Sequence, residues 1–132
     1  MLKVLHGADF HLDSPFSGLK PDAAARRRGE QRELLSTLAE LCRSEGAELL
    51  LLSGDLLDSD NTYFETGEQL VKALGEIGVP VFIAPGNHDF YSPRSPYARL
   101  KLPENVRVFT ENGIRMEELP ELKVRVYGAA FT

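Results

Sequence analysis

Residues 79–89 read VPVFIAPGNHD, a short run rich in β-branched residues that ends in a Gly-Asn-His-Asp string. Such a run, preceded by glycine and followed by Pro-Gly, is typical of a buried β-strand. Two further apolar runs, KVLHGA at 3–8 and AELLLLS at 47–53, are followed by polar residues in the same way. The pattern predicts three short buried strands, each leading into a loop that carries chemically active side chains.

A long helix is predicted between the first two strands, over residues 22–45. Pro21 or Asp22 is expected to start it and Gly46 to end it. Its apolar residues recur at helical spacing, so Cys42 is expected to be a buried helix residue rather than a reactive thiol. The leucines that carry this spacing are Leu34, Leu35, Leu38 and Leu41.

A second helix is predicted between the second and third strands, opening at Asn61 or Thr62 and closed by Gly78. Beyond the third strand, a proline-rich stretch predicts a loop, and three shorter strands are expected after it. The apolar side of the second helix comprises Phe64, Leu70, Val71, Leu74 and Ile77, the loop holds Pro93, Pro96 and Pro103, and the later strands cover 106–109, 114–117 and 122–127.

Alternation of continuous apolar strands with helices predicts the α/β class. A mostly parallel sheet is expected, flanked by helices on both faces through right-handed crossovers. In such a sheet the carboxyl ends of neighbouring strands line a common crevice. Asp9, Asp55 and Asn87 fall at those ends, so side chains that are far apart in sequence are expected to meet in one small space.

The residues at the strand ends are of metal-binding types. Carboxylate, imidazole and amide groups are supplied by Asp9 and His11 in an Asp-x-His string, by Asp55, and by Asn87 in the string at 86–89. These groups suit a pair of divalent metal ions. A single strand-end aspartate could instead cap a helix, but the joint occurrence of these residues favours metal binding.

The three motifs together resemble those of the calcineurin-like metallophosphoesterase superfamily. Within it, LHGADFHLDSPF at 5–16 and YSPRSP at 91–96 are similar to the DNA repair exonuclease branch, the SbcD-like and YhaO-like nucleases. The resemblance implies a four-layer α/β/β/α domain. The motifs that carry it are D-x-H at Asp9 and His11, G-D-x-x-D at Gly54, Asp55 and Asp58, and G-N-H-D at 86–89.

The resemblance also implies roles for individual residues. Asp9 and His11 would bind the first metal, Asp55 would bridge both metals, and Asn87 would bind the second. A bridging carboxylate holds two such ions about 3.5–4 Å apart, where they act on one phosphoryl group. Manganese or magnesium is implied, and the imidazole of His11 favours manganese.

His88 and Asp58 are the implied catalytic residues. His88 would face the substrate rather than bind metal, and as an imidazolium it would either stabilise the developing charge or protonate the leaving oxygen. Asp58 would hold its ring. Asp89 is expected to form the turn or to support the ligands rather than to bind metal. His6 is expected to be structural, and Asp13 is open between capping a loop and touching the site.

The histidine content suggests that residues 1–132 correspond to the N-terminal part of such a domain. The superfamily has a further metal-binding histidine and a G-H-x-H motif beyond the third motif, whereas the histidines here are His6, His11 and His88. A part of a domain would leave strand edges and apolar surface uncovered. Association or dimerisation is therefore expected.

Composition is that of an ordinary globular protein, with 42% hydrophobic and 27% charged residues. The longest apolar stretch, 49–52, is far shorter than the roughly 20 residues needed to span a bilayer, so no membrane partner is expected. The N-terminus runs directly into a strand pattern, without a basic leader and long apolar segment, so a cytoplasmic location is expected. One cysteine excludes an internal disulfide. The net charge of −5 argues only weakly against a polyanionic substrate, because bound metals reverse the local field.

These observations favour metal-dependent phosphodiester hydrolysis on DNA, of the repair-exonuclease kind. A phosphatase acting on another phosphoester, or a truncated non-catalytic module that binds metal or serves as a scaffold, are the alternatives. The resemblance further implies DNA as partner, a homodimer, and an ATPase partner of the coiled-coil repair type.

Overall fold

Six strands, three α-helices and one 3-10 turn make up the part of the chain that the computed structural model describes, residues 1–59 and 62–132. Within those ranges, no helix combines the length and the apolar character needed to cross a membrane. In chain order the elements are β1 (Val4–Gly7), α1 (Pro21–Glu45), β2 (Leu49–Ser53), α2 (Phe64–Ile77), β3 (Val81–Ala84), α3 (Pro96–Arg99), β4 (Val106–Val108), β5 (Arg115–Leu119), the 3-10 turn (Pro120–Leu122) and β6 (Val124–Gly128).

A parallel four-stranded sheet forms the centre, with its strands in the order β1-β2-β3-β4. Leu50 of β2 lies between Leu5 of β1 and Val81 of β3, and Val81 in turn pairs with Val106 of β4. The predicted α/β class and mostly parallel sheet are therefore confirmed. Each predicted strand is present, shifted or shortened by one or two residues at its ends.

Both long helices pack on the same face of this sheet, so the expectation of helices on both faces is wrong. Strands β1 to β4 are added in one direction, and successive right-handed crossovers then place their helices on the same side. The resulting core is apolar and closely packed. It joins Leu35, Leu38 and Cys42 of α1 and Leu70 and Leu74 of α2 to Leu50, Leu52, Val81 and Ile83 of the sheet.

The other face is covered by an antiparallel pair, β5 and β6. Leu119 and Val126 from this pair join a second core with Leu49, Phe82 and Phe109. The rings of Phe82 and Phe109 stack with their centroids 5.9 Å apart. The described chain is thus built of three layers, a helix pair, a parallel sheet and a two-stranded sheet.

The helix predictions were partly correct. Helix α1 ends where predicted, at Gly46, which adopts the left-handed conformation (φ 65°) and donates its amide to the Arg43 carbonyl oxygen. Helix α2 begins at Phe64, after Thr62, and the predicted start at Asn61 lies outside the described residues. Phe64 is 78% exposed, contrary to prediction, because it lies about 120° around the helix from the buried Leu70.

The proline-rich segment was predicted as a loop, yet it contains the one-turn helix α3. Pro96 occupies the first turn of α3, a position where the missing amide proton of proline has no cost. The short helix carries Tyr97 into the core, where its side chain is 5% exposed.

Replacing Gly128 by alanine should destabilise the fold. A Cβ atom at this position would lie 2.6 Å from Cζ of Phe109, so the stacked ring would have to move. Overpacking of this kind costs about 1–3 kcal/mol of unfolding free energy, measurable as a lower midpoint in urea. Gly113→Ala is the matched control, because its Cβ would meet no atom within 4 Å. Equal midpoints for the two variants would contradict the packing described here.

Candidate metal centre

The loops that follow β1, β2 and β3 are joined by backbone hydrogen bonds at one edge of the sheet. The Asp9 amide donates to the Gly54 carbonyl oxygen at 3.0 Å, and the Gly54 amide donates to that of Ala84 at 2.8 Å. The His11 amide donates to the Asp55 carbonyl oxygen at 2.9 Å. The pairing of the strands therefore continues into the loops and fixes their register.

The backbone of these loops is unusual. Asp9, His11 and Asp55 have φ values of 59°, 49° and 52°, in the left-handed region. Aspartate and histidine visit this region more often than most residues, but each such residue still costs of order 1–3 kcal/mol. Strain of this kind is often found at functional sites, and three of the six non-glycine residues with such φ values in the described chain are predicted metal ligands.

Side chains from the three loops converge. His11, Asp55 and His88 each offer one ligand atom, and these atoms lie within 4.8 Å of one another. Nε2 of His11 lies 3.9 Å from a carboxylate oxygen of Asp9 and 4.0 Å from one of Asp55. Atoms that bind one metal at about 2.0–2.2 Å are themselves about 3–4 Å apart, so these separations fit a shared divalent cation.

The centre lies open to solvent. The Asp9 side chain is 70% exposed and that of His11 32%, whereas that of Asp55 is only 12% exposed. Both Asn87 and His88 are exposed. A buried carboxylate is thus surrounded by accessible ligand groups, which allows a substrate to approach.

His88 contacts two predicted metal ligands, although the resemblance implies that it is not a ligand itself. Its amide donates to Oδ1 of Asp55 at 2.9 Å, and its ring meets that of His11 edge-on, with the centroids 5.0 Å apart. Asn87 precedes it on the same loop. Geometry therefore brings His88 into the cluster, and the assignment of Asn87 as a ligand and of His88 as a non-ligand remains a prediction.

The carboxylate of Asp58 contacts His11, while its carbonyl oxygen lies against the His88 ring that this residue is predicted to hold. Its Oδ1 lies 3.1 Å from Nδ1 of His11, while Nδ1 of His88 lies 3.3 Å from the Asp58 carbonyl oxygen. Asp58 lies beside His11 because its amide donates a hydrogen bond to the carbonyl oxygen of Leu12, the residue that follows His11. A carboxylate that accepts from Nδ1 leaves Nε2 of His11, beside the carboxylates of Asp9 and Asp55, available to bind a metal.

Three further polar residues have structural roles. His6 lies outside the cluster, with Nε2 3.0 Å from the Ser53 hydroxyl. Asp13 accepts hydrogen bonds from the Tyr63 amide (2.9 Å) and the Thr66 hydroxyl (2.8 Å), so it ties its loop to the start of α2. Asp89 is fully buried behind the cluster, where it contacts Tyr97, a partner that sequence reasoning missed.

A model of the calcineurin-like phosphoesterase family matches residues 2–128. The chain belongs to this family. Calcineurin-like phosphoesterases are generally hydrolases that bind divalent metals, which agrees with the His/Asp cluster described above.

Similar proteins include members of this family from bacteria and archaea. The chain is 32% identical over 115 residues to the uncharacterized metallophosphoesterase YhaO of Bacillus subtilis, with 83% of the chain and 28% of YhaO aligned. It is 34% identical over 97 residues to the DNA double-strand break repair protein Mre11 of Aeropyrum pernix (71% and 22%). It is 30% identical over 110 residues to SbcD, a subunit of the nuclease SbcCD of Rhodobacter capsulatus (80% and 24%). The chain thus aligns with 22–28% of the length of these relatives.

Asp58→Asn should weaken manganese binding at the phosphoesterase centre. The neutral amide is a poorer acceptor for the Nδ1 proton of His11, so the imidazole loses its fixed tautomer. Loss of such a supporting contact lowers metal affinity by about 10–100-fold, measurable by calorimetric titration. Asp22→Asn, at the exposed first turn of α1, should leave the affinity unchanged. Equal affinities in the two variants would remove Asp58 from the site.

Gly86→Ala should also weaken manganese binding, because the added methyl group would clash with Asp55. A Cβ atom at Gly86 would lie 2.6 Å from the Asp55 amide nitrogen and 2.9 Å from its Cγ, so the carboxylate of Asp55 would be displaced. We expect about tenfold weaker manganese binding or more, approaching that of Asp55→Ala. Gly29→Ala on α1 meets no neighbouring atom and should bind like the native chain. Native affinity in Gly86→Ala would show that this close approach does not position Asp55.

Proposed function

We propose that this chain carries part of the active site of a metal-dependent phosphodiesterase that hydrolyses DNA, in the manner of a DNA repair exonuclease. The observation that carries the proposal is the convergence of His11, Asp55 and His88 from three loops. The choice of DNA is supported by two of the relatives, one named for DNA double-strand break repair and one named as a nuclease subunit.

Two divalent ions, manganese or magnesium, are proposed as cofactors. Asp9, His11 and Asp55 would hold the first ion, and Asp55 and Asn87 would hold the second. The short distances from Nε2 of His11 to both carboxylates support the first group. When bound, such ions stabilise charge on the phosphoryl group and activate a water nucleophile.

His88 is the proposed general acid. Its amide hydrogen bond to Asp55 fixes its loop against the centre, and its exposed imidazole is free to approach a leaving oxygen. Asp58 would orient His88 through its carbonyl oxygen, which lies 3.3 Å from Nδ1, rather than through its carboxylate. General acid catalysis of this kind contributes about 10²–10⁴ to the rate.

Partners are proposed on the same basis. One relative is named as a subunit of the SbcCD nuclease, and we propose an ATPase partner of the coiled-coil repair type, together with a homodimer in the cytoplasm.

The test uses the complete protein with manganese and three substrates: linear duplex DNA, bis-p-nitrophenyl phosphate and p-nitrophenyl phosphate. We expect the DNA and the diester to be hydrolysed, and His88→Ala to lower the rate on DNA by about 10²–10⁴. His6→Ala, which removes an exposed histidine outside the cluster, should retain the native rate.

Preference for the monoester would replace the nuclease by a phosphatase. An unchanged rate in His88→Ala would remove this histidine from catalysis. Metal binding without hydrolysis of any of the three substrates would favour a non-catalytic module.

A further inference from the structure

The carboxylate of Asp89 joins two of the metal-binding loops from behind. It is 1% exposed, and its Oδ1 accepts from the amides of Gly86 (2.7 Å) and Asp55 (3.2 Å). Its Oδ2 accepts from the amide of Leu57 at 3.1 Å. One side chain thus ties the loop after β2 to the loop after β3, with a bond to the amide of Asp55 itself.

A fourth donor comes from outside these loops. The hydroxyl of Tyr97, on α3, donates to Oδ2 of Asp89. Burial raises the pKa of the Tyr97 phenol well above its usual value, and the charge of Asp89 raises it further, so the hydroxyl stays protonated as a donor. Four donors satisfy a buried carboxylate that would otherwise be costly to desolvate.

Hydrogen bonds hold both the backbone and the side chain of Asp55. Its amide donates to Asp89, while its own Oδ1 accepts from the amide of His88 at 2.9 Å. The approach is so close that only glycine fits at position 86. A small rotation of the Asp89 carboxylate would therefore shift the backbone of Asp55 and, with it, the carboxylate that faces His11.

We propose that Tyr97, through Asp89, is a positioning residue that fixes the metal-binding carboxylate of Asp55. Tyr97 is buried in the core and donates its hydroxyl to Asp89 from α3, outside the three loops. It locks the orientation of Asp89, so that Oδ1 remains shared between the amides of Asp55 and Gly86. The proposal rests on the proposed function only in taking Asp55 as a metal ligand.

The first measurement is calorimetric titration of the chain with manganese chloride, comparing Tyr97→Phe with the native chain. Removing only the hydroxyl should weaken binding about tenfold, the lower end of what supporting contacts contribute. Tyr127→Phe, on the exposed side of β6, should bind as the native chain does. Ile77→Val, a change in the α2 core, controls for a loss of stability without a change at the site.

The second measurement is amide hydrogen exchange of the metal-free chain. Tyr97→Phe should increase exchange at the amides of Asp55, Leu57 and Gly86 by more than Ile77→Val does. This readout needs no metal, so it tests the positioning role even if the proposed function is wrong.

The outcomes separate the two proposals. Absence of manganese binding by the native chain overturns the proposed metal centre, and exchange then decides the role of Tyr97 in holding the loops. Native manganese affinity in Tyr97→Phe overturns the positioning role and leaves the proposed function standing. Equal losses in Tyr97→Phe and Ile77→Val also overturn it, because stability alone would then explain the effect.

Discussion

Parallel pairing of β1, β2 and β3 in sequence order is the constraint on which the rest of the structure depends. It places the three carboxyl ends side by side, so that each following loop begins next to its neighbour. It also places both crossover helices on one face, which leaves the other face free for the β5–β6 pair. The site and the layers of the fold thus have the same topological origin.

Within that frame, aspartates near the site perform different tasks that depend on their surroundings. Asp13 and Asp89 are buried, and their oxygens accept hydrogen bonds from amides and hydroxyls, so both act on the backbone. Asp9 has an exposed carboxylate directed at a neighbouring imidazole, and Asp58 accepts from that imidazole. Residue type alone does not distinguish these tasks, because each one is set by the donors that tertiary structure brings near.

The local features of the fold could be predicted from sequence. Apolar runs that end in polar strings marked β1, β2 and β3, and Gly46 marked the end of α1, because each signal is contained in neighbouring residues. The convergence of His11 and Asp55 also followed from strand order, and the two residues lie together in the structure, although their roles as ligands stay predictions.

Other features depend on information that is not local. Both helices lie on one face because the strands are added to the sheet in one direction. No single segment of the sequence contains this information. Asp58 contacts His11 because its amide donates to the Leu12 carbonyl oxygen, a pairing between two loops that neither sequence segment contains by itself. Tyr97 was missed because the prolines around it suggested loop packing, whereas Pro96 starts a helical turn that buries it.

Supporting contacts hold the cluster together against charge repulsion and backbone strain. Carboxylates of Asp9, Asp55 and Asp58 surround one imidazole, and three residues there adopt a strained backbone, so both charge and conformation oppose the native arrangement. The hydrogen bonds of Asp89 and the paired loops hold it in place. A cation that binds only the native state offsets the repulsion, and it stabilises that state by about 2.7 kcal/mol at a hundred times its dissociation constant. In the proposed function these supports would preorganise the cluster for a cation, and a bound cation would in turn stabilise the arrangement that they maintain.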